Sequence, residues 1–315
     1  MEFVHKPVML NECIEGLNIK TNGIYVDGTM GGAGHSYEIA KRLSSSGRLI
    51  CIDRDDDAIK AGKERLKEFS NITFVKDNHD NILDILEKLN IEKVDGILLD
   101  LGVSSYQLDE KNRGFSYMQE SRLDMRMDKE QVLNAELIVN TYEEERLANV
   151  IYEYGEEKYS RQIARSICEY RKSKRIETTK ELVKIIESAL PSHAMHGEGH
   201  PAKRTFQAIR IEVNDEIKPL YDTIKKSILA LASEGRLCVI TFHSLEDRAV
   251  KNAFVDAKGK CICPKDIPYC VCNYISYGDI VTKKPIIPTD EEMAVNSRSK
   301  SAKLRIFERK WYKIR

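Results

Sequence analysis

The sequence predicts an α/β fold: a parallel sheet covered on both faces by helices and interrupted by a helical insertion. Three observations predict it. Short apolar runs alternate with helix-period segments between residues 24 and 100. Three of those runs end in an acid, at Asp27, Asp53 and Asp100. The alternation stops after Asp100 and resumes near Asp215. Alternating strands and helices bury a sheet on both sides. Open sheets of this kind bind ligands outside the carboxyl ends of their strands, where the acids stand.

The elements follow in order. Residues 24–27, 48–53, 72–75 and 94–100 read as strands. Helices are expected from about Ser36 to Leu43, through Ile59, Leu66 and Phe69 on one face, and from Asn81 to Leu89. Residues 131–151, 156–172 and 178–190 look helical, and no run from Ser104 to Ile211 reads as a buried strand. Asp215 to Ala232 carries Ile217, Leu220, Ile224, Ile228 and Leu231 at helical spacing. A strand over 237–242, a helix over 245–256 and a last strand over 302–308 complete the pattern. The sheet domain is therefore expected over 1–104 and 212–315, with 105–211 as the helical insertion.

Composition narrows the class. Apolar residues make up 42% and charged residues 32% of 315, enough to bury a core and stay soluble. The 50 basic and 50 acidic residues cancel, so a nucleic-acid partner must be argued from local patches. No apolar run approaches the roughly 18 residues of a spanning helix. The start reads as neither secretory signal nor membrane anchor, and a cytoplasmic enzyme is expected.

Asp27-Gly28-Thr29-Met30-Gly31-Gly32-Ala33-Gly34-His35 follows the first strand and opens the first helix. Glycines let a backbone approach a ligand closely. Asp53 closes the next strand, where an acid can take ribose hydroxyls. The loop is not Gly-x-Gly-x-x-Gly read from Gly28, and it holds no Arg or Lys for a pyrophosphate. An adenosine ligand with a cationic tail fits, such as S-adenosylmethionine, with Asp27 near the charged amino-acid end. An ordinary strand–helix turn and a nicotinamide cofactor stay open as alternatives at this point. Methyl transfer from a sulfonium is an in-line displacement that the enzyme serves by alignment. An amine nucleophile needs acceptors for its N–H groups; Asp100, Ser104 and Gln107 can supply them, with Asp100 and Ser104 as the catalytic candidates.

Six strings then carry a resemblance: Asp27-Gly28-Thr29 with Gly34-His35-Ser36; Asp100 to Ser105 with Gln107-Leu108-Asp109; Arg113-Gly114-Phe115-Ser116; Leu123-Asp124-Met125-Arg126-Met127; Arg204 to Ile211 with Asn214; and Phe242 to Arg248. With the opening His5 to Leu10, they resemble the ribosomal RNA small-subunit methyltransferase H family, also called MraW. The resemblance implies a class I Rossmann-like methyltransferase sheet with an inserted helical substrate-binding domain. It implies S-adenosylmethionine-dependent methylation of the exocyclic N4 of one cytidine in the decoding centre of 16S ribosomal RNA. It puts cofactor contacts on Ala33, Gly34, His35, Asp53, His79, Asp100 and Gln107. Ala33 stands where members of the family carry Gly, and its methyl is accommodated if φ stays negative. His79 stands where members often carry Phe; it can stack on an adenine, with a contact that titrates. The Asp/Asn/Ser-Pro-Pro-aromatic motif of amino-base DNA methyltransferases is absent, so the stacking ring is sought in Phe115, Tyr117 or Phe206.

The expected partner is 16S rRNA, within the small ribosomal subunit, with a homodimer as an open option and no membrane. Taking a base out of folded RNA calls for cations and a pocket. Lys203, Arg204, Arg210 and His243 are candidates near the target nucleotide, with Phe115 and Phe206 as pocket walls. The runs Arg161–Arg175 and Arg298–Arg315 are candidates for phosphates. Cys261, Cys263, Cys270 and Cys272 form a compact four-thiol set suited to a structural zinc, with reduced thiols as the alternative. A small-molecule methyltransferase and a non-catalytic RNA-binding factor are the competing functions.

Overall fold

A computed structural model describes residues 7–195, 199–260, 263, 272 and 274–310. The chain divides into two compact units, Met1–Gly102 with Ile217–Arg315, and Val103–Glu216. The second junction falls at Glu216, past a helix ending at Asn214, rather than at residue 211 inside that helix.

In chain order the first unit has α1 (Leu10–Leu17), β1 (Ile24–Asp27), α2 (Gly34–Ala40), β2 (Arg48–Asp53), α3 (Asp56–Arg65), β3 (Ile72–Lys76), α4 (Ile82–Lys88) and β4 (Val94–Asp100). The second has α5 (Ser105–Asp109), α6 (Ala135–Thr141), α7 (Glu144–Gly155), α8 (Ser160–Ser173), α9 (Thr179–Ala189), α10 (Ser192–Met195) and α11 (Lys203–Asn214). The chain then returns with α12 (Leu220–Ala230), β5 (Leu231–Thr241), α13 (Ser244–Lys258), β6 (Gly278–Ile280), α14 (Asp290–Val295) and β7 (Lys303–Arg309).

The strands form one sheet in the order β3-β2-β1-β4-β5-β7-β6. β1 to β5 are parallel, as the alternation predicts. β7 runs antiparallel to both β5 and β6, so the sheet is mixed. The order reverses between β1 and β4, which is the switch point where such sheets open a crevice.

Side chains alternate across the pleat, and both faces are buried. Val26, Ile50, Ile52, Ile97 and Leu99 join one cluster with Ile85, Ile224 and Phe254 of α4, α12 and α13. Tyr25, Leu49, Cys51, Leu98, Cys238 and Ile240 join the opposite cluster with Cys13 and Leu17 of α1 and Ile39 of α2. Cys13, Cys51, Cys168 and Cys238 are all buried.

The helical unit has its own core, including Ile138, Leu147, Ile151, Ile163, Ile167, Ile186 and Ile209. The helix expected over 131–151 is two helices, because Tyr142 leaves helical geometry at ψ 140°. Its hydroxyl donates to buried Glu212 at 2.8 Å. α9 begins with a capping box, Thr178 accepting from the Glu181 amide while Glu181 accepts from that of Thr178. Leu123, Met125 and Met127 are buried, so that string is core. Asn214 clamps it: its amide donates to Met125 O at 2.8 Å, and its oxygen accepts from Met127 N at 2.8 Å.

Candidate active site

The glycine loop is stitched to the strands beside it. Gly28 N–H donates to Leu98 O at 2.9 Å and Met30 N–H to Ile52 O at 3.0 Å. Gly31 N–H donates to Asp53 Oδ2 at 2.8 Å, and Asp55 N–H to Asp53 Oδ1 at 2.9 Å. Asp53 is thus fixed at the end of β2, with a second lone pair on each oxygen for a ribose hydroxyl. Gly34 serves packing, since a Cβ there would meet Pro7 Cγ at 2.3 Å. Gly32 serves access, since a Cβ there would meet nothing within 4 Å. Arg65 reaches the loop from α3, but it donates to the Gly32 carbonyl at 2.7 Å.

Two expectations in this loop are corrected. Ala33 has φ 56°, in the left-handed region, not a negative φ. The turn closes by Ala33 N–H donating to Met30 O at 2.7 Å, and Ala33 then N-caps α2. Asp27 is not presented to a ligand tail; it is 1% exposed. It accepts from Ser36 Oγ at 2.6 Å and from Thr29 N–H at 3.2 Å. Burial pushes its carboxyl up to about 6.

Asp100 ends β4 in the crevice. Its backbone N–H donates to Thr29 Oγ1 at 2.6 Å, so the hydroxyl of the glycine loop sets its position. It caps no helix; Ser104 does. Its Oδ1 is buried without a hydrogen-bond partner among the described residues. Its Oδ2 lies 3.7 Å from His35 Nδ1. His35 Nε2 is 3.0 Å from Val8 O, which places the ring proton there and leaves Nδ1 as an acceptor in the neutral ring. Burial raises the Asp100 carboxyl well above the usual range, and Asp27 and Glu246 add to the rise.

His79, after β3, is partly buried beside Asp80, with Nε2 at 3.8 Å from Asp80 Oδ1. Burial pushes its imidazole down to about 4. The ring is therefore neutral across the physiological range, which corrects the expected titration.

In the helical unit, Ser104 and Gln107 form a capping box on α5. Ser104 Oγ accepts from Gln107 N at 3.2 Å, and Gln107 Oε1 accepts from Ser104 N at 3.0 Å. The Ser104 hydroxyl thus has a structural task, and Gln107 is buried. Phe115 and Phe206, 6% and 3% exposed, belong to the core and not to a pocket wall. Tyr117 is partly exposed and stacks on His200, ring centroids 4.7 Å apart. Arg210 is held by Glu216 through contacts of 3.0 and 2.9 Å. Lys203 is exposed at the start of α11; Arg204 is exposed and donates to Glu156 O at 3.2 Å.

Both basic runs are largely occupied. Lys172, Lys174 and Arg175 pair with Glu169, Glu181 and Glu136. The later run contains β7, where Arg305 pairs with Asp247, and Lys310 just past it pairs with Asp279, while Lys313 and Arg315 lie outside the described residues. Of the four candidate zinc ligands, Cys261 and Cys270 lie outside the described residues. Cys263 and Cys272 are partly exposed, and no cluster of three or more metal-ligating residues forms among the described residues.

Thr29, Ser36 and Glu246 are site residues that the sequence reasoning did not single out. Thr29 and Ser36 flank the glycines inside strings already noted. Glu246 has a local signal: it stands three residues after His243 at the start of a helix, the spacing of a capping box.

A Rossmann-like sheet, with an acid fixed at the end of β2 and a buried carboxylate oxygen across the switch point, makes a ligand crevice of the Rossmann-like class. The model of the MraW methylase family matches residues 2–310. Ribosomal RNA small subunit methyltransferase H of Finegoldia magna is 56% identical over 311 residues, covering 98% of this chain and 99% of that protein. Its namesake in Lachnospira eligens is 56% identical over 310 residues, covering 98% of each. The one in Clostridium botulinum is 57% identical over 306 residues, covering 97% of this chain and 99% of that protein. The chain belongs to the MraW methylase family.

Proposed function

We propose that this protein methylates the exocyclic N4 of one cytidine in the decoding centre of 16S ribosomal RNA, with S-adenosylmethionine as donor. The observation that carries the chemistry is the buried Oδ1 of Asp100 at the end of β4, which has no hydrogen-bond partner among the described residues. The relatives' shared name supports the substrate class.

The residues present fit the cofactor. Asp53 offers lone pairs for a ribose, Gly32 opens onto free space, and the loop brings no cation for a phosphate. Ala33, Gly34, His35 and His79 complete the cofactor contacts on this reading. Bound S-adenosylmethionine supplies an electrophilic methyl on a sulfonium. Asp100 accepts an N–H of the target amine at Oδ1 and aims the nitrogen lone pair. Its proton affinity, raised by burial and by Asp27 and Glu246, suits it to take up the N4 proton as the new bond forms. Thr29 holds the Asp100 backbone in place. The helical unit, residues 103–216, serves substrate recognition, with exposed Lys203 and Arg204 as its phosphate contacts. The setting is cytoplasmic.

The test uses methyl-labelled S-adenosylmethionine and small subunits from cells lacking the endogenous enzyme. After digestion, the expected result is label in N4-methylcytidine in one RNA fragment. Absence of label while the cofactor binds overturns the proposed substrate.

A further inference from the structure

Two buried side-chain atoms at neighbouring strand ends have no hydrogen-bond partner among the described residues: Asp100 Oδ1 and His243 Nε2. Their loops leave the sheet side by side. Asp100 pairs with Ile240 in the β4–β5 register, and Leu101 N–H donates to Ile240 O at 3.0 Å. A Cβ at Gly102 would lie 3.6 Å from Phe242 Cδ2 and 3.9 Å from Glu246 Oε1. The two loops therefore touch.

The two atoms are of opposite kind. Asp100 Oδ1 is an acceptor. His243 Nδ1 accepts from the Glu246 amide at 3.5 Å as it caps α13, which places the ring proton on Nε2. Glu246 holds this ring from below. Its Oε2 accepts from the amides of Phe242 and His243, at 2.7 and 3.3 Å. Its Oε1 is 3.2 Å from His243 Nε2, near enough for ion pairing but out of line for a hydrogen bond. The imidazole is 9% exposed and the Glu246 side chain 2%. An acceptor and a donor are thus left unpaired at the strand ends where the target amine is placed. Buried polar groups without partners are uncommon, and a ligand group is one explanation for them.

Cytosine carries a complementary pair on its Watson–Crick edge: an N4 amine that donates, beside N3 that accepts. Uracil carries the reverse, a carbonyl beside an N–H. Bases taken out of a stack are read on this edge. We propose that Asp100 and His243 together read the amino edge of the target base, Asp100 accepting from N4–H and His243 Nε2–H donating to N3. His243 is then a specificity-determining residue that rejects uridine, and Glu246 is its positioning residue. The inference rests on the reading of the site as a cytidine N4 methyltransferase.

The test crosses a protein change with a base change. Small subunits are reconstituted with cytidine or 3-deazacytidine at the methylated position; 3-deazacytidine keeps the amine and loses the N3 acceptor. On 3-deazacytidine the wild-type chain is expected to lose about 10- to 100-fold in kcat/KM, the scale of one base-edge contact. His243→Phe is expected to lose a similar factor on cytidine and nothing further on 3-deazacytidine. His243→Gln, whose amide can donate, is expected to recover part of the loss on cytidine only. Thermal unfolding checks both variants, and His243→Gln carries the cycle if His243→Phe does not fold. Equal penalties for 3-deazacytidine in wild type and variant overturn the inference while the N4 reading stands. If wild type makes no N4-methylcytidine in unmodified subunits, the reading fails and the inference falls with it.

Discussion

The hydroxyl of Ser36 donates to Asp27 Oδ2 at 2.6 Å inside the core, and Cys51 Sγ lies 3.4 Å behind that hydroxyl. A carboxylate at the end of β1 is thereby kept from solvent and spent on holding α2 to the sheet. Burial raises its pKa to about 6 from an ordinary 3.8, with Ser36 and the Thr29 amide opposing and Asp53 reinforcing the rise.

The native state therefore holds this proton more tightly than the unfolded chain does. The stabilisation it brings is complete below pH 3.8 and is lost as pH rises through about 6. A shift of about 2 units corresponds to about 3 kcal/mol. Asp27→Asn removes the titration while keeping an acceptor. The variant is expected to be more stable than wild type at pH 7 by up to about 3 kcal/mol, with the gap closing towards pH 4. Urea unfolding at several pH values checks this; a gap independent of pH would contradict it.

His79 acts in the opposite direction. Its folded pKa of about 4 lies below the ordinary 6.5, so its contribution is present above 6.5 and lost as pH falls through 4. His79→Phe is expected to be more acid-resistant, gaining up to about 3 kcal/mol relative to wild type by pH 4. The same unfolding series measures it, and an unchanged acid limb would refute the assignment.

Ala33 occupies a left-handed conformation with its methyl fully buried. A left-handed L-residue costs roughly 1–2 kcal/mol, and branching at Cβ makes it worse. Ala33→Val is expected to lose 2 kcal/mol or more, roughly, through strain and overpacking together. Ala33→Gly is expected to stay within about 1 kcal/mol of wild type, because relief of strain offsets the lost methyl and added chain entropy. Thermal melts of the two variants decide it; a well-tolerated Val would mean that the turn adopts another conformation.

Asp247 sits in α13 and receives Arg305 of β7 through two bonds, of 2.7 and 3.1 Å. The Arg305 side chain is 10% exposed. Removing the acid leaves a nearly buried guanidinium without its partner. Asp247→Ala is expected to cost about 3–5 kcal/mol. Chemical denaturation provides the measurement, and a loss below about 1 kcal/mol would mean that Arg305 finds water.

Asp100→Ala is expected to reduce kcat by 100-fold or more, roughly, with the fold intact. Its carboxylate is half orphaned, so stability should hold or rise. Label transfer and a thermal melt of the same preparation check both halves. Wild-type turnover would remove Asp100 from the mechanism.

Much of the sheet was legible because its signals are local. Apolar runs ending in Asp27, Asp53 and Asp100 place β1, β2 and β4, and helical spacing through Leu220, Ile224 and Ile228 places α12, which starts after Pro219 and not at Asp215. What sequence reasoning missed depends on distant partners. The antiparallel sense of β7 is set by its pairing with β5 and β6, which no periodicity encodes. Phe115 and Phe206 look like candidates for stacking until the helical core encloses them. The run from Arg161 to Arg175 looks free for phosphates because Glu136, the partner of Arg175, stands 39 residues away in the chain. The Ser104–Gln107 box, by contrast, was readable from its spacing, and the catalytic interest of the same residues obscured it.

The pairing of β4 with β5 has a consequence for synthesis. β4 ends at Asp100, but β5 begins only at Leu231, after the whole helical unit. At about 5–20 residues per second, the inner edge of β4 waits on the order of ten seconds for its partner. Throughout that interval Ile97, Leu98 and Leu99 offer an apolar strand with open backbone donors and acceptors. Nascent chains of this protein are thus most prone to edge-to-edge aggregation, and most in need of a chaperone, while ribosomes translate the insertion.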